Sequence, residues 1–526
     1  MNINTPKLSM TGWKQSAEHA PLLIKNLECL RTEILQEYPI RDILVLGMGG
    51  SALGTRVLKD LYAQDLEQAQ VRLRVVDTTE PRSIAAILQD FDVAAGLVFV
   101  SSKSGGTIEP LCLGQIFFKH AYGTLGSVEA AAGHFISISD EGTPLSKLAE
   151  SQRWRGIINT PKNVGGRFSV LSAFGLAPLV LAGVDMSELI KAAYDIQCKC
   201  TAHDSETGNE LPDRSDSKPE GAFDSDHNDN SEDEPCPAIH LADSLYQNMC
   251  EGRDKLIIGH DAGSESFARW LEQLIAESLG KNGKGLIPLP MPAHRANRLL
   301  SYGSTDIQSI SFSRMTATDV GASLQRWMFA IEKIAQHLQL DPYDQPNVEA
   351  VKLATSRALH RSCGNGTATA GIGTEVGAGT AATATGAAAG KNSSGDTLSL
   401  HKHLSDPRMK GPEQLPELIK AHSFIVLSSW APMTAENIEK LESFAADFEQ
   451  RYQRPVVIAE GPHYLHASGQ LYKGGPAGGI YLLLIQDTAE DLPIPGASYS
   501  LKQLYCAAAS GDCEVMLSLG KPLLKL

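Results

Sequence analysis

An apolar run at residues 43–46 leads directly into the stretch Gly47-Met48-Gly49-Gly50-Ser51-Ala52-Leu53-Gly54. Apolar residues then recur at helical spacing from Val57 to Tyr62. This pattern predicts a strand that turns tightly into a helix, with free backbone N–H groups at the start of that helix. Such a turn attracts anions, so the sequence predicts a binding site for phosphate, either of a dinucleotide or of a small metabolite.

Four more apolar runs follow and alternate with helical patterns, at residues 72–77, 96–101, 134–138 and 156–159. Strands that alternate with helices predict an open parallel sheet, whose ligands bind at the carboxyl ends of the strands. The same design restarts further along the chain, with apolar runs at residues 255–259, 285–288, 424–428, 456–459 and 480–485. We therefore expect two α/β units that face each other across a cleft.

Two low-complexity segments divide this pattern and predict the domain boundaries. Residues 198–238 are rich in Asp, Glu and Ser, and residues 203–235 alone contain 12 acidic against 2 basic side chains. Residues 364–398 are almost entirely Gly, Ala, Thr and Ser. Neither composition buries enough apolar area to offset the entropy of ordering. We expect an N-terminal domain over 1–197, a disordered linker over 198–238, and a C-terminal domain over 239–526 that the second segment interrupts.

Charge and cysteine content narrow the class of protein. The formal net charge of −15 and the lack of basic blocks argue against nucleic acid or an anionic membrane as partner. No uncharged apolar run reaches the ~18 residues of a membrane span, and the first residues lack the apolar core of a secretion signal. The nine cysteines have no regular spacing, which predicts reduced thiols in a cytoplasmic protein and no metal site.

A second anion-binding loop follows the third predicted strand. Residues 102–107 read Ser-Lys-Ser-Gly-Gly-Thr and precede a helix, so Ser102, Ser104 and Thr107 present hydroxyls while Lys103 adds charge. This set suits a phosphate monoester. The alternative is a simple Ser/Thr-rich helix cap. Asp77 ends the second strand where a ribose-binding acid of a dinucleotide fold belongs, but such a fold does not need the second loop.

Two charged residues are open to two interpretations each. Arg167 follows Gly165-Gly166, so it either approaches a bound ligand closely or forms a surface salt bridge. Glu277 lies late in an apolar helix, just before Gly280. Its carboxylate is either the solvated edge of an amphipathic helix or a cleft carboxylate with a raised pKa.

The motifs together resemble the glucose-6-phosphate isomerase family, whose fold is two sugar-isomerase (SIS) domains, each an open parallel sheet between helices. The matching segments are Gly47 to Gly54, Ser102 to Thr107, Val164 to Ser172, Glu277 to Lys281, and Pro342 to Lys352.

The resemblance implies a role for each matched residue. Gly50, Ser51, Ser102, Lys103, Ser104 and Thr107 would hold the sugar phosphate, and Arg167 would steady a charged enediol(ate). Glu277 would be the base that moves a proton between C2 and C1, with Lys352 near the ring oxygen.

The ring-opening histidine of the family has its match late in the chain, in Tyr464-Leu465-His466-Ala467-Ser468-Gly469-Gln470. That placement resembles the isomerase half of bacterial transaldolase–isomerase fusions. His466 is therefore the predicted acid/base, with His463 as the alternative. The family also implies a homodimer in which this histidine commonly comes from the neighbouring subunit.

The implied activity is interconversion of glucose 6-phosphate and fructose 6-phosphate in glycolysis and gluconeogenesis, without a metal or redox cofactor. Three other readings stay open: a non-catalytic phosphosugar sensor on the same fold, an isomerase of another hexose phosphate such as mannose 6-phosphate, and an NAD-dependent oxidoreductase. A sensor needs the phosphate loops but not Glu277, Arg167, Lys352 and His466.

Overall fold

A computed structural model describes residues 9–206, 236–363, 406 and 408–526 of the chain. Its first five strands follow the predicted apolar runs closely: β1 Asp42–Gly47, β2 Arg72–Val76, β3 Gly96–Ser101, β4 Phe135–Asp140 and β5 Gly156–Thr160. They form one parallel sheet in the order β2-β1-β3-β4-β5. β1 and β3 are buried along their whole length, as expected for central strands covered by helices on both faces.

The helices of this first part connect and cover the strands. They are α1 Ser16–Leu35, α2 Gly50–Leu61, α3 Ala63–Gln68, α4 Pro81–Asp90, α5 Ile108–Leu125, α6 Val128–Ala132, α7 Pro144–Ser151, α8 Ala173–Ala182 and α9 Ser187–Glu206.

The second part adds two more parallel sheets. The strands are β6 Lys255–His260, β7 Ile287–Pro292, β8 Ile307–Phe312, β9 Phe424–Trp430, β10 Val456–Glu460, β11 Gly479–Ile485 and β12 Leu523–Lys525. One sheet has the order β7-β6-β8 and the other β10-β9-β11-β12. The fold class, parallel sheets flanked by helices, is therefore confirmed. The expectation of one sheet for the whole second unit is wrong, because these strands pair in two separate sets.

The helices of the second part are α10 Pro237–Cys250, α11 Glu265–Leu279, α12 Ala293–Ser301, α13 Ala317–Leu338, α14 Pro346–Cys363, α15 Leu415–Leu418, α16 Ala435–Tyr452, α17 Gly469–Gly474 and α18 Leu501–Ser518. α11 packs against α2, and one apolar core runs from Val45 and Phe99 of the first sheet to Leu271 of α11 and Ile331 of α13. This shared core brings α11 beside the carboxyl ends of the first strands.

The linker predicted over 198–238 is shorter than expected. α9 continues to Glu206 and α10 begins at Pro237, so both ends of that segment are helical. Residues 207–235 lie outside the described residues, as do 364–405, which contain the Gly/Ala/Thr-rich insertion predicted over 364–398.

Cys200 near the end of α9 and Cys236 just before α10 are joined by a disulfide, and both residues are buried. The prediction of reduced thiols is wrong for this pair, because α9 and α10 pack together and bring the two cysteines to the same place. Across the described part of the chain, no helix combines the length and the apolar character that a bilayer crossing requires.

Candidate active site

The glycine-rich turn after β1 allows two other segments to approach its backbone closely. Gly49 has φ +54° and ψ −128°, a conformation that favours glycine. A Cβ placed on Gly49 would overlap the carbonyl oxygen of His466, and one on Gly50 would overlap the carbonyl oxygen of Gly166. The segments that carry His466 and Arg167 therefore both rest on this turn. Ser51, in the first turn of α2, is buried.

The loop over 102–107 follows β3 as predicted. Ser102 Oγ donates to Thr107 Oγ1 at 3.0 Å, so the two ends of the loop are tied together. The Lys103 ammonium, however, donates to both oxygens of Asp140 at 2.8 and 2.7 Å. The expectation that Lys103 supplies free charge to a phosphate is not met in this structure, because Asp140 at the end of β4 already balances that charge.

Glu277 and Arg167 form a buried ion pair. Arg167 Nη1 donates to Glu277 Oε2 at 2.8 Å, and the side chains are only 2% and 4% exposed. Arg167 Nε donates to Ser278 Oγ at 2.9 Å, and Nη2 donates to the carbonyl oxygen of Pro342. The interpretation of Arg167 as a surface salt-bridge partner is therefore wrong, and so is that of Glu277 as the solvated edge of an amphipathic helix.

Two amides complete the surroundings of the Glu277 carboxylate. Gln273 Nε2 donates to Glu277 Oε1 at 3.1 Å, and Gln345 Nε2 donates to Oε2 at 2.9 Å. Burial raises the pKa of Glu277 above its ordinary value, because desolvation outweighs the Arg167 cation and the amide donors that lower it. A carboxylate with a raised pKa is suited to accept and return a proton.

His466 forms a second, partly buried pair with a carboxylate. Its Nε2 lies 2.9 Å from Glu109 Oε1, in the first turn of α5. Burial lowers the pKa of the imidazole, but the adjacent Glu109 carboxylate more than offsets this, so the pKa of His466 lies above its ordinary value. Gln273 Nε2 also donates to the carbonyl oxygen of His466 at 2.9 Å. One side chain, Gln273, thus connects the Glu277 and His466 groups.

A cavity of about 590 Å³ opens beside His466. Thr107 and Glu109 line the cavity from the start of α5, and Lys352 lines it from α14. Lys352 is half exposed, and its ammonium contacts Glu349 at 2.7 Å. Glu277 and Arg167 do not line the cavity. The structure thus brings His466, Lys352 and the end of the 102–107 loop to one cavity, with the Glu277 pair connected through Gln273.

His463 and Asp77, the residues of two alternative readings, contact each other. His463 Nδ1 lies 2.8 Å from Asp77 Oδ2, and Arg56 donates to Asp77 Oδ1. The aspartate is 2% exposed. Both oxygens of this carboxylate are therefore occupied by side chains of the protein, which leaves the dinucleotide reading without its ribose-binding acid.

Sequence reasoning missed three polar residues of this site. Gln273 lies one helical turn before Glu277, and Gln345 lies inside the quoted segment that ends at Lys352. Both were therefore accessible from spacing or motif. Glu109 gave no such signal, because only the fold brings it to a histidine 357 positions later.

This geometry defines an α/β protein with parallel sheets and a cluster of paired charged side chains near the carboxyl ends of the first strands. Among solved structures, a hypothetical protein from Thermus thermophilus shares the fold, with a TM-score of 0.55 and 22% identity over 68% of this chain and 92% of that chain.

Residues 35–207 match the family model of phosphoglucose isomerase. The glucose-6-phosphate isomerase of Methanocaldococcus jannaschii is 29% identical over 270 residues, which cover 51% of this chain and 55% of that protein. That of Nostoc sp. is 30% identical over 244 residues, 46% of this chain and 40% of that protein. The resemblance to this family is confirmed, although the chain matches only about half the length of these relatives. Arg167 and the phosphate loops lie inside the family match, whereas Glu277, Lys352 and His466 lie beyond it.

Proposed function

We propose that the protein is an aldose–ketose isomerase that interconverts glucose 6-phosphate and fructose 6-phosphate through a cis-enediol(ate). The observation that carries this proposal is a pair of adjacent charged groups, the buried Glu277 with Arg167 and the partly buried His466 with Glu109. Gln273 connects them through the Glu277 carboxylate and the backbone carbonyl of His466. A phosphate-binding module without catalytic activity has no need of two such pairs.

The phosphate of the substrate binds at the 102–107 loop and the glycine-rich turn. Ser102, Ser104 and Thr107 offer hydroxyls, and Ser51 lies in the neighbouring first turn of α2. Because Asp140 neutralises the Lys103 ammonium, we assign Lys103 the role of fixing the loop through its side chain. Thr107 lines the cavity, so the sugar extends from this loop toward His466 and Lys352.

Glu277 transfers the proton between the two carbon atoms. Its carboxylate removes the proton from C2, the C–H electron pair becomes the C1–C2 double bond, and the C1 carbonyl oxygen gains negative charge. Arg167, held 2.8 Å from Glu277, stabilises that charge in a site closed to water. The proton of the C2 hydroxyl passes to the C1 oxygen, and Glu277 then returns its own proton to C1 as the C2 carbonyl forms. The Gln345 amide, which now occupies Glu277 Oε2, gives way when the sugar binds.

Ring opening requires an acid and a base near the ring oxygen. The Glu109 carboxylate favours the protonated form of His466, which donates a proton to the ring oxygen; the imidazole, neutral after that transfer, then accepts the proton of the C1 hydroxyl. The Lys352 ammonium lines the same cavity and stabilises the charge at the ring oxygen. His466 reaches Glu109 within one chain. The homodimer implied by the family stays a prediction.

A coupled assay for fructose 6-phosphate tests the proposal. We expect turnover by the wild type and a loss of about 10²- to 10⁴-fold in kcat for Glu277→Gln, the range for removal of a general base. Glu265→Gln is the matched control, because Glu265 is exposed in the first turn of the same helix.

Each alternative function has its own outcome. Tight binding of glucose 6-phosphate without turnover by the wild type would favour the sensor. Faster turnover of mannose 6-phosphate than of glucose 6-phosphate would assign a different substrate. Undiminished kcat in Glu277→Gln would exclude Glu277 as the base.

A further inference from the structure

Residues 463–466, the histidine turn, carry two histidines on a single 3-10 turn that follows β10. Side chains three positions apart eclipse each other in this type of helix, so His463 and His466 project from the same side. Each of them contacts a buried carboxylate that belongs to the first sheet unit, Asp77 and Glu109 respectively. The turn is thus held at both ends by the opposite half of the molecule.

The two carboxylates lie on either side of β1. Asp77 directly follows β2, and Glu109 lies in the first turn of α5, just after the loop that follows β3. Since the strand order is β2-β1-β3, the histidine turn spans the carboxyl end of β1. Gly49 lies at that end of β1 and contacts the histidine turn, because a Cβ added to Gly49 would overlap the carbonyl oxygen of His466.

The anchor of His463 is itself firmly held. Arg56 of α2 donates to Asp77 Oδ1. Burial on its own would raise the pKa of Asp77, but the adjacent Arg56 and His463 side chains outweigh it and hold that pKa at about 2. The Glu460 carboxylate, at the end of β10, also faces this group, and burial raises its pKa. Asp77 is therefore contacted by side chains from both halves of the molecule.

We propose that the Asp77–His463 pair positions the His466 imidazole over the sugar site. Glu109 and Gln273 fix only the His466 end of the turn, and a catalytic group must be placed to within about 0.5 Å. The middle of the turn is held by the buried Tyr464, whose hydroxyl donates to Asp512, so release of the His463 end lets the turn tilt about Tyr464 and changes the tilt of the His466 ring. This inference rests on the proposed function, because it assigns a positioning residue to that reaction.

His463→Gln is the primary variant. This substitution removes the imidazole but leaves the Asp77 carboxylate paired with Arg56, so the buried carboxylate keeps a partner. His337→Gln is the matched control, because His337 also contacts an aspartate, Asp243, at 3.4 Å, but on α13 and away from the cavity. Thermal unfolding of both variants checks that each is folded.

We expect His463→Gln to lower kcat by about tenfold or more, with KM changed less than about twofold, since a displacement of 1 Å is enough for such a loss. In nuclear magnetic resonance titrations the His466 ring, identified through His466→Asn, should titrate at lower pH in His463→Gln, because its contact with Glu109 loosens. His337→Gln should leave kcat, KM and the His466 titration unchanged. Asp77→Asn added to His463→Gln should cause little further loss in kcat.

A folded His463→Gln variant with the kcat and the His466 titration of the wild type would overturn the inference, while the proposed isomerase activity would stand. Additive losses in Asp77→Asn and His463→Gln would also overturn it, because a linked pair is not additive. If the wild type shows no isomerase activity, the proposed function fails. The titration of His466 then still decides whether His463 positions it.

Discussion

Gly49→Ala tests whether the glycine-rich turn supports His466. The added Cβ would lie 3.1 Å from His466 Cβ and overlap the His466 carbonyl oxygen. Carbon atoms prefer about 3.5–4.0 Å, so His466 must move by about 0.5–1 Å. The backbone at φ +54° adds strain of about 1–3 kcal/mol for a residue with a side chain.

Two consequences are expected from that displacement. The free energy of unfolding should fall by about 2–4 kcal/mol, from strain together with overpacking. The kcat of isomerisation should fall by about 10- to 100-fold, because His466 loses its alignment with the sugar. Urea denaturation and the coupled fructose 6-phosphate assay measure these two quantities.

Two other glycines separate the causes. Gly126 has φ +80°, and a Cβ added there would meet nothing within 4 Å, so Gly126→Ala reports the backbone strain alone. Gly166 also has open space where its Cβ would lie, and its φ is not positive, so Gly166→Ala should change little. A Gly49→Ala variant that is no less active than Gly126→Ala would refute the contact between the turn and His466.

Three further predictions use other measurements. Activity should fall as the pH drops through a midpoint above 4.5, the ordinary pKa of a glutamate, because burial raises the pKa of Glu277 and only its deprotonated form accepts a proton. A kcat/KM profile whose acid limb has its midpoint below 4.5 would contradict this prediction. The pKa of Asp77 is lowered to about 2 in the folded protein, so its contribution to stability is complete above its unfolded-state pKa and is lost as the pH falls toward 2. Urea denaturation at several pH values should therefore show that the free energy of unfolding falls less steeply with acid in Asp77→Asn than in the wild type. Replacement of Cys200 and Cys236 by serine should lower the free energy of unfolding by about 3–4 kcal/mol, because the unfolded chain is no longer constrained by the closed loop. Equal urea midpoints of the wild type with and without reductant would argue against the disulfide.

The first sheet was predictable because its central strands are buried on both faces and read as continuous apolar runs. β8 was not, because Ile307 to Phe312 reads Ile-Gln-Ser-Ile-Ser-Phe, which has no continuous apolar run, and only part of the strand is buried. β7 contains three prolines and was predicted to start too early; it tolerates them as the edge strand of its sheet.

The site was predictable in part from residue types. A carboxylate just before a glycine and an arginine after two glycines were visible as candidates, and the structure pairs them. The engagement of Lys103 by Asp140 was not visible, because those residues are 37 positions apart and meet only when β3 and β4 pair. The partner of His466 was hidden for the same reason. Charged residues in a sequence indicate chemistry, but their partners follow from strand order.

The hydrogen-bond donors of the Glu277 carboxylate come from distant parts of the chain, because Arg167 is 110 positions and Gln345 is 68 positions away in sequence. Gln273, a third donor, also contacts His466, which is 193 positions away from it. Contacts of such long range form late in folding, so regained activity should be the last signal to appear on refolding. Residues 207–235 lie between Arg167 and Glu277, and residues 364–405 lie between Lys352 and His466. The low-complexity composition of both segments predicts flexible loops, whose closure entropy grows only with the logarithm of length, so doubling either segment should cost about 0.6 kcal/mol. The chain can thus change length at both places and still assemble the same carboxylate.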